Sequence, residues 1–251
     1  MNAVPLVAER AEQSPLLASL LAVALASVHL LTMYAPHRSS TRGRQLLSLG
    51  AGTSVAYVFV LLLPEIASAA AEVRTMYEGQ FFAEQLVFLA GLAGVVAFYG
   101  LEVYAAHHFD SDGEGETSPG RYTIHVGSFT VYSALIGYLL FHQEVEGALN
   151  LVLYTLAMGL HFLNFDRGLD RRHGDAFEGT GRWVLAGATL LGGGVGLVTQ
   201  ISELALGMLL GFVSGGLVFN TFKEEVPEAA RGLFRPFLVG SVVYSVVVLL
   251  I

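Results

Sequence analysis

The chain has 251 residues, 54% of them hydrophobic and 14% charged, with a formal net charge of −8 and no cysteine. A mean hydropathy of +0.61 is far from that of a water-soluble domain of this length. The lack of cysteine excludes disulfides, thiolate metal sites and thiol redox relays, and an acidic chain with no basic stripe or nucleic-acid motif argues against a nucleic-acid partner.

Apolar runs of about 20 residues recur from end to end, each long enough for a helix rising ~1.5 Å per residue to cross ~30 Å of hydrocarbon. They predict an all-α membrane protein of one domain, residues 1–251, with eight spans at about 16–34, 45–64, 81–103, 122–142, 147–165, 182–200, 203–222 and 233–251. The runs are continuous rather than alternating, which excludes a β-barrel. Ala24-Leu25-Ala26 in the first run resembles a signal-peptidase site. The segment before it carries Glu9, Arg10 and Glu12 rather than a basic stretch, and the run continues to Leu31, so it is read as a span.

Eleven of the thirteen Lys and Arg fall in alternate loops: Arg38, Arg42, Arg44, Arg121, Arg167, Arg171, Arg172, Arg182, Lys223, Arg231 and Arg235. Positive-inside insertion then puts both termini on the non-cytoplasmic side and only Arg10 and Arg74 outside with them. The expected location is a cell membrane, plasma or bacterial inner, crossed several times.

An internal repeat follows. LGAGTSVAYVFVLLLPEIA, Leu49 to Ala67, aligns without gaps to FVSGGLVFNTFKEEVPEAA, Phe212 to Ala230, matching Gly52 with Gly215, Pro64 with Pro227, Glu65 with Glu228 and Ala67 with Ala230. The two segments run in opposite directions across the membrane, so helices 1–3 and 6–8 read as inverted repeats flanking helices 4 and 5.

With GAGTSVAYVFVLLLPE on helix 2, FLAGLAGVVAFYGLE on helix 3 and GFVSGGLVFNTFKEEVPE on helix 7, the chain resembles the ZIP (zinc and iron permease) family of divalent-cation transporters. The resemblance implies a 3+2+3 arrangement of eight helices with both termini outside. It also implies metal ligands on helices 4 and 5, in segments of the form His-Ser/Asn-x-x-Glu/Asp-Gly and His-x-x-Pro-Glu-Gly. Here YSALIG has Tyr132 at the histidine, Ser133 at the Ser/Asn, Ile136 at the carboxylate and Gly137 at the glycine. YTLAMG has Tyr154, Ala157, Met158 and Gly159 at the histidine, proline, carboxylate and glycine. Tyrosine is a poor zinc ligand and isoleucine is none, so the usual mid-membrane centre is not expected.

The same faces keep uncharged polar residues: Ser128, Tyr132 and Ser133 on helix 4, Asn150, Tyr154 and Thr155 on helix 5. With Asn220 on helix 7 they form a candidate transport pathway. They equally suit hydrogen bonding across the helix pair, with Gly137 and Gly159 letting helices 4 and 5 approach closely. His125 and His161 lie seven residues inward of Tyr132 and Tyr154 on antiparallel helices, which returns both to the same faces roughly 10 Å deeper. With Asp166 and Glu102 near by, they are the candidate metal ligands. The acidic end of helix 7 suggests ion pairs of Glu224 and Glu225 with Lys223, Arg231 or Arg235, the loop His107 to Glu116 reads as a solvated linker, and His29 in helix 1 has no evident partner.

The expected function is a ZIP-like transporter of a divalent cation (zinc or iron) or another small solute, working by alternating access with a non-standard site. The alternative is a non-transporting ZIP-fold sensor or scaffold. Neither is an enzyme: the histidines and carboxylates are too dispersed for a hydrolytic zinc centre. No resident cofactor is expected. The expected partner is the lipid bilayer, with a homodimer as a further expectation.

Overall fold

The computed structural model describes residues 14–34, 40–77, 82–109, 118–142, 147–226 and 232–250. Glu9, Arg10, Glu12, Arg38, residues 110–116 of the acidic loop, Pro227, Glu228, Ala230, Arg231 and the side chain of Glu225 lie outside the described residues.

Among the described residues the chain is helical with no strand. The eight helices are α1 (Pro15–Leu31), α2 (Thr41–Met76), α3 (Ala83–Phe109), α4 (Pro119–Leu139), α5 (Ala148–His173), α6 (Phe177–Val198), α7 (Glu203–Asn220, continued by the turn Thr221–Glu225) and α8 (Phe234–Leu249). Their starts follow local chemistry. The hydroxyls of Ser14, Ser40 and Ser202 accept the N–H groups of Leu17, Gly43 and Ala205, and Pro15 and Pro119 occupy first-turn positions where no N–H is needed. Gly147 and Gly174, at φ +113° and +45°, bound α5 at the two backbone positions that disfavour a side chain.

Six of these helices, all but α4 and α8, are long and apolar enough to cross a membrane, and α8 is a shorter apolar helix of 16 residues. The chain is an integral membrane protein. Large apolar side chains that face outward, such as Leu92, Val96 and Tyr99 on α3, Leu191 on α6 and Val243 on α8, suit a hydrocarbon solvent.

Helix α2 corrects one expected boundary: it runs to Met76 rather than ending near residue 64. A proline inside a regular helix removes one hydrogen bond and clashes with the preceding turn. The turn Val58–Leu62 widens to π geometry just before Pro64, so that the Leu63 N–H reaches back to the Val58 carbonyl. The helix thereby passes the proline without breaking. A second π turn, Thr221–Glu225, closes α7, with the Val226 N–H bonded to the Thr221 carbonyl at 3.0 Å, and a third, Phe177–Gly181, opens α6.

Packing divides the helices into two groups, α2, α3, α7 and α8 against α1, α4, α5 and α6, which meet where α2 touches α5, α3 touches α4 and α7 with its closing turn touches α4 and α5. Within each group the backbones come so close that a Cβ would not fit. Gly52 lies under the Phe237 carbonyl and Gly240 under that of Leu49 (α2 with α8); Gly94 faces Phe212, Gly211 faces Val87 and Gly215 faces Gly91 (α3 with α7). Gly137 meets the Thr189 carbonyl and Gly192 that of Ala134 (α4 with α6). Such small-residue contacts are how membrane helices gain dispersion energy without a hydrophobic driving force.

Candidate functional site

A polar assembly lies on the seam between the groups, at the end built from the C-termini of α3, α5 and α7 and the N-terminus of α4. Glu102 stands on α3, His125 on α4, Arg172 and His173 on the last turn of α5, and Lys223 and Glu224 on the π turn that closes α7. Arg172 gains from the negative end of the α5 dipole. Arg172 Nη2 donates to Glu224 Oε1; Lys223 Nζ lies 2.6 Å from Glu102 Oε2 and 3.1 Å from Glu224 Oε1. His125 is buried. Its Nδ1 is 3.0 Å from His173 Nε2, so one of the two nitrogens carries the hydrogen and the other accepts it, while its Nε2 lies 3.4 Å from Glu102 Oε2. Ser128, whose hydroxyl donates to the His125 carbonyl, and Asn220, whose Nδ2 donates to the Gly216 carbonyl, line the same recess. Its water-accessible volume of about 20 Å³ holds roughly one water.

A second polar cluster is fully enclosed. His29 Nδ1 on α1 donates to Asp166 Oδ2 on α5 at 2.8 Å, the two side chains being 1% and 0% exposed. Thr32 Oγ1 is 3.3 Å from the same carboxylate oxygen, and His29 Nε2 is 3.4 Å from Thr189 Oγ1 of α6. The His29 ring also lies 4.3 Å from that of Phe162. This cluster ties together three of the four helices of its group.

The four candidate metal ligands are thus divided. Glu102 and His125 come together; Asp166 turns instead to His29; His161 is enclosed near the rings of Tyr132 (5.8 Å), Phe162 and Phe165. Among the described residues no group of three or more His, Asp and Glu is arranged to hold a metal ion. Residue spacing missed the partner of His29 because that partner is 137 residues away. The available signal was that both are ionisable groups in apolar runs, where each needs an opposite partner.

Of the candidate pathway residues, Ser128 and Asn220 line the recess, whereas Tyr132, Ser133, Tyr154 and Thr155 are packed inside and Asn150 is partly buried near the start of α5. The expected bonding across helices 4 and 5 is largely corrected. Ser128 and Thr155 bond carbonyls of their own helices, whereas the Tyr154 hydroxyl crosses to α4 and donates to the Ile136 carbonyl at 3.2 Å. Gly137 receives α6 and Gly159 lies nearest Val28 of α1, so neither brings α4 against α5. The physical reason is that hydroxyls on membrane helices have the preceding-turn carbonyl within immediate reach of their own side chain. Tyr154→Phe removes this crossing bond and is expected to lower stability in detergent by about 0.6 kcal/mol, the average for membrane hydrogen bonds; a chemical-unfolding series checks it.

Tyr154 also meets Tyr57 edge-on at 6.3 Å, and Tyr57 meets Tyr244 likewise, so α2, α5 and α8 share an aromatic knot beside the buried Glu65. No family model matches the chain, and no curated protein matches it.

Proposed function

We propose that the chain is a ZIP-like transporter with eight membrane-spanning helices, moving a divalent cation such as zinc or iron, or another small solute, by alternating access between its two helix groups. It sits in a cell membrane with both termini non-cytoplasmic, as a homodimer, and α4 and α8 span together with the six longer helices.

One observation carries this reading. When Leu49 to Ala67 is aligned with Phe212 to Ala230, the π turn Val58–Leu62 falls residue for residue on the π turn Thr221–Glu225, and the bond from Leu63 N–H to Val58 O falls on that from Val226 N–H to Thr221 O. A widened turn at matching positions supports reading the two segments as repeats. Exchanging helices 1–3 with 6–8, and 4 with 5, also turns the α2 with α8 contact into α7 with α3, and α4 with α6 into α5 with α1. That is the pairing an inverted repeat requires, and inverted repeats belong above all to transporters. In this reading the recess at Glu102 and Lys223 is the cytoplasmic mouth of the pathway.

The test is uptake by the purified protein in liposomes, with Zn²⁺, Fe²⁺ and Mn²⁺ followed by an encapsulated indicator. Saturable uptake above that of protein-free vesicles is the expected result; uptake no faster than in empty vesicles for all three ions removes cation transport from consideration. A second reading, a ZIP-fold sensor or scaffold without transport, draws on one observation: Tyr132, Ile136, Tyr154 and Met158, at 1%, 0%, 3% and 3% exposure, fill the level where the family's ligands would stand. Flat uptake curves from a well-folded protein favour it.

A further inference from the structure

The ammonium of Lys223 sits where a free cation would be held. Its Nζ lies 2.6 Å from Glu102 Oε2 on α3 and 3.1 Å from Glu224 Oε1 on its own helix, with Glu224 only 4% exposed. Adjacent residues on a regular helix do not face one another. Lys223 and Glu224 meet through the reach of their long side chains, and they lie in the π turn Thr221–Glu225; π turns in helices frequently mark functional sites.

A second observation points to a ligand at the same spot. His125 is 7% exposed, its Nδ1 is engaged by His173, and its Nε2 makes no hydrogen bond although it lines the recess 3.4 Å from Glu102 Oε2. A buried nitrogen paired with a carboxylate oxygen only at 3.4 Å is weakly satisfied, and imidazole nitrogen beside carboxylate oxygen is a donor set for first-row divalent cations. Asn220, its Nδ2 bonded to Gly216 O, keeps Oδ1 as a further acceptor at the wall, and the recess has room for one water.

We propose that Glu102, Glu224 and the Nε2 of His125 form a divalent-cation site at the seam, which the tethered ammonium of Lys223 fills in this conformation and yields when a free cation arrives. The inference rests on the reading of the chain as a cation transporter and assigns that activity a site. It explains why the donors are not closed around a metal here: carboxylates 2.6 and 3.1 Å from a nitrogen must move inward by up to about 1 Å to reach the ~2.1 Å bonds of a small divalent ion. It also gives the site an exchange step. An ammonium that leaves as the cation arrives keeps Glu102 compensated throughout, while Arg172 stays on Glu224, so neither carboxylate is left bare at low dielectric.

The test is calorimetric titration of the purified full-length chain in detergent with Mn²⁺. Lys223→Met removes the competing charge at similar length, and is expected to bind at least tenfold tighter than the parent; Glu102→Gln in that background is expected to lose the gain. Should Lys223→Met not fold, Lys223→Gln serves the same comparison. Equal affinity of parent and Lys223 variants, or a gain that survives Glu102→Gln, overturns the assignment. Failure here with cation uptake intact in liposomes removes the site and keeps the transporter, whereas tighter binding without uptake in any variant keeps the site and removes the transporter.

Discussion

Asp166→Ala is expected to destabilise the protein in detergent by about 3–5 kcal/mol, because it strips the partner from a buried group and leaves an enclosed imidazole behind. His29 is 1% exposed and lies among Phe162, Thr189 and Thr32, none of which replaces a carboxylate. His29→Ala is expected to cost a comparable amount, since it leaves Asp166 uncompensated at 0% exposure, with its Oδ1 already lacking a hydrogen bond. The double variant His29→Leu, Asp166→Leu removes both polar groups and is expected to be more stable than either single variant. The cycle is read from thermal or chemical unfolding of the four proteins. Magnitude decides between two kinds of interaction: a loss near 0.6 kcal/mol, and no more than about 1.7 kcal/mol, is what ordinary hydrogen bonds between membrane helices give. Additive single losses of that size would reduce the pair to such a bond.

The second large effect concerns backbone contact. Gly52→Val and Gly215→Val each drive a side chain into a carbonyl of the facing helix, that of Phe237 on α8 for the first and that of Gly91 on α3 for the second. Backbone cannot step aside as a flexible side chain can, so each variant should fall at or beyond the upper end of the ~1–3 kcal/mol seen for overpacking. About 3 kcal/mol corresponds to roughly 6–12 °C in the unfolding midpoint of a chain of this size. Gly187→Val and Gly194→Val provide the contrast, because nothing lies within 4 Å of a Cβ at either position. Similar midpoints for all four variants would remove the close contacts from the account of what holds the helices together.

Helix positions were legible because apolar runs of this length have few other uses, and the starts at Ser14, Ser40 and Ser202 carry ordinary capping chemistry. The reach of α2 beyond Pro64 was not legible, since proline normally ends a helix and the π turn that accommodates it has no residue signature. Among ionisable groups, Glu102 and His125 were brought together by reading faces and depth. The join of Glu224 to Lys223 was visible from adjacency, but its link to Arg172 spans 52 residues. His29 and Asp166 show the same limit more sharply. Helical periodicity orders neighbours along one helix, whereas these pairs depend on which helices touch, and a single sequence does not encode that in any local pattern.

The pairing of early with late helices has a consequence for biogenesis. Because α2 closes on α8 and α3 on α7, the first half of the polypeptide leaves the ribosome with its glycine faces at Gly52, Gly91 and Gly94 uncovered until nearly the whole chain has been made. Native contacts here join residues far apart along the chain, the kind of topology that folds slowly and stays open to wrong associations meanwhile. A nascent chain stalled after α5 presents unsatisfied helix-docking faces on α2, α3 and α4. Membrane chaperones and proteases therefore have a long interval in which to bind it, and synthesis rate through the second half becomes a determinant of yield.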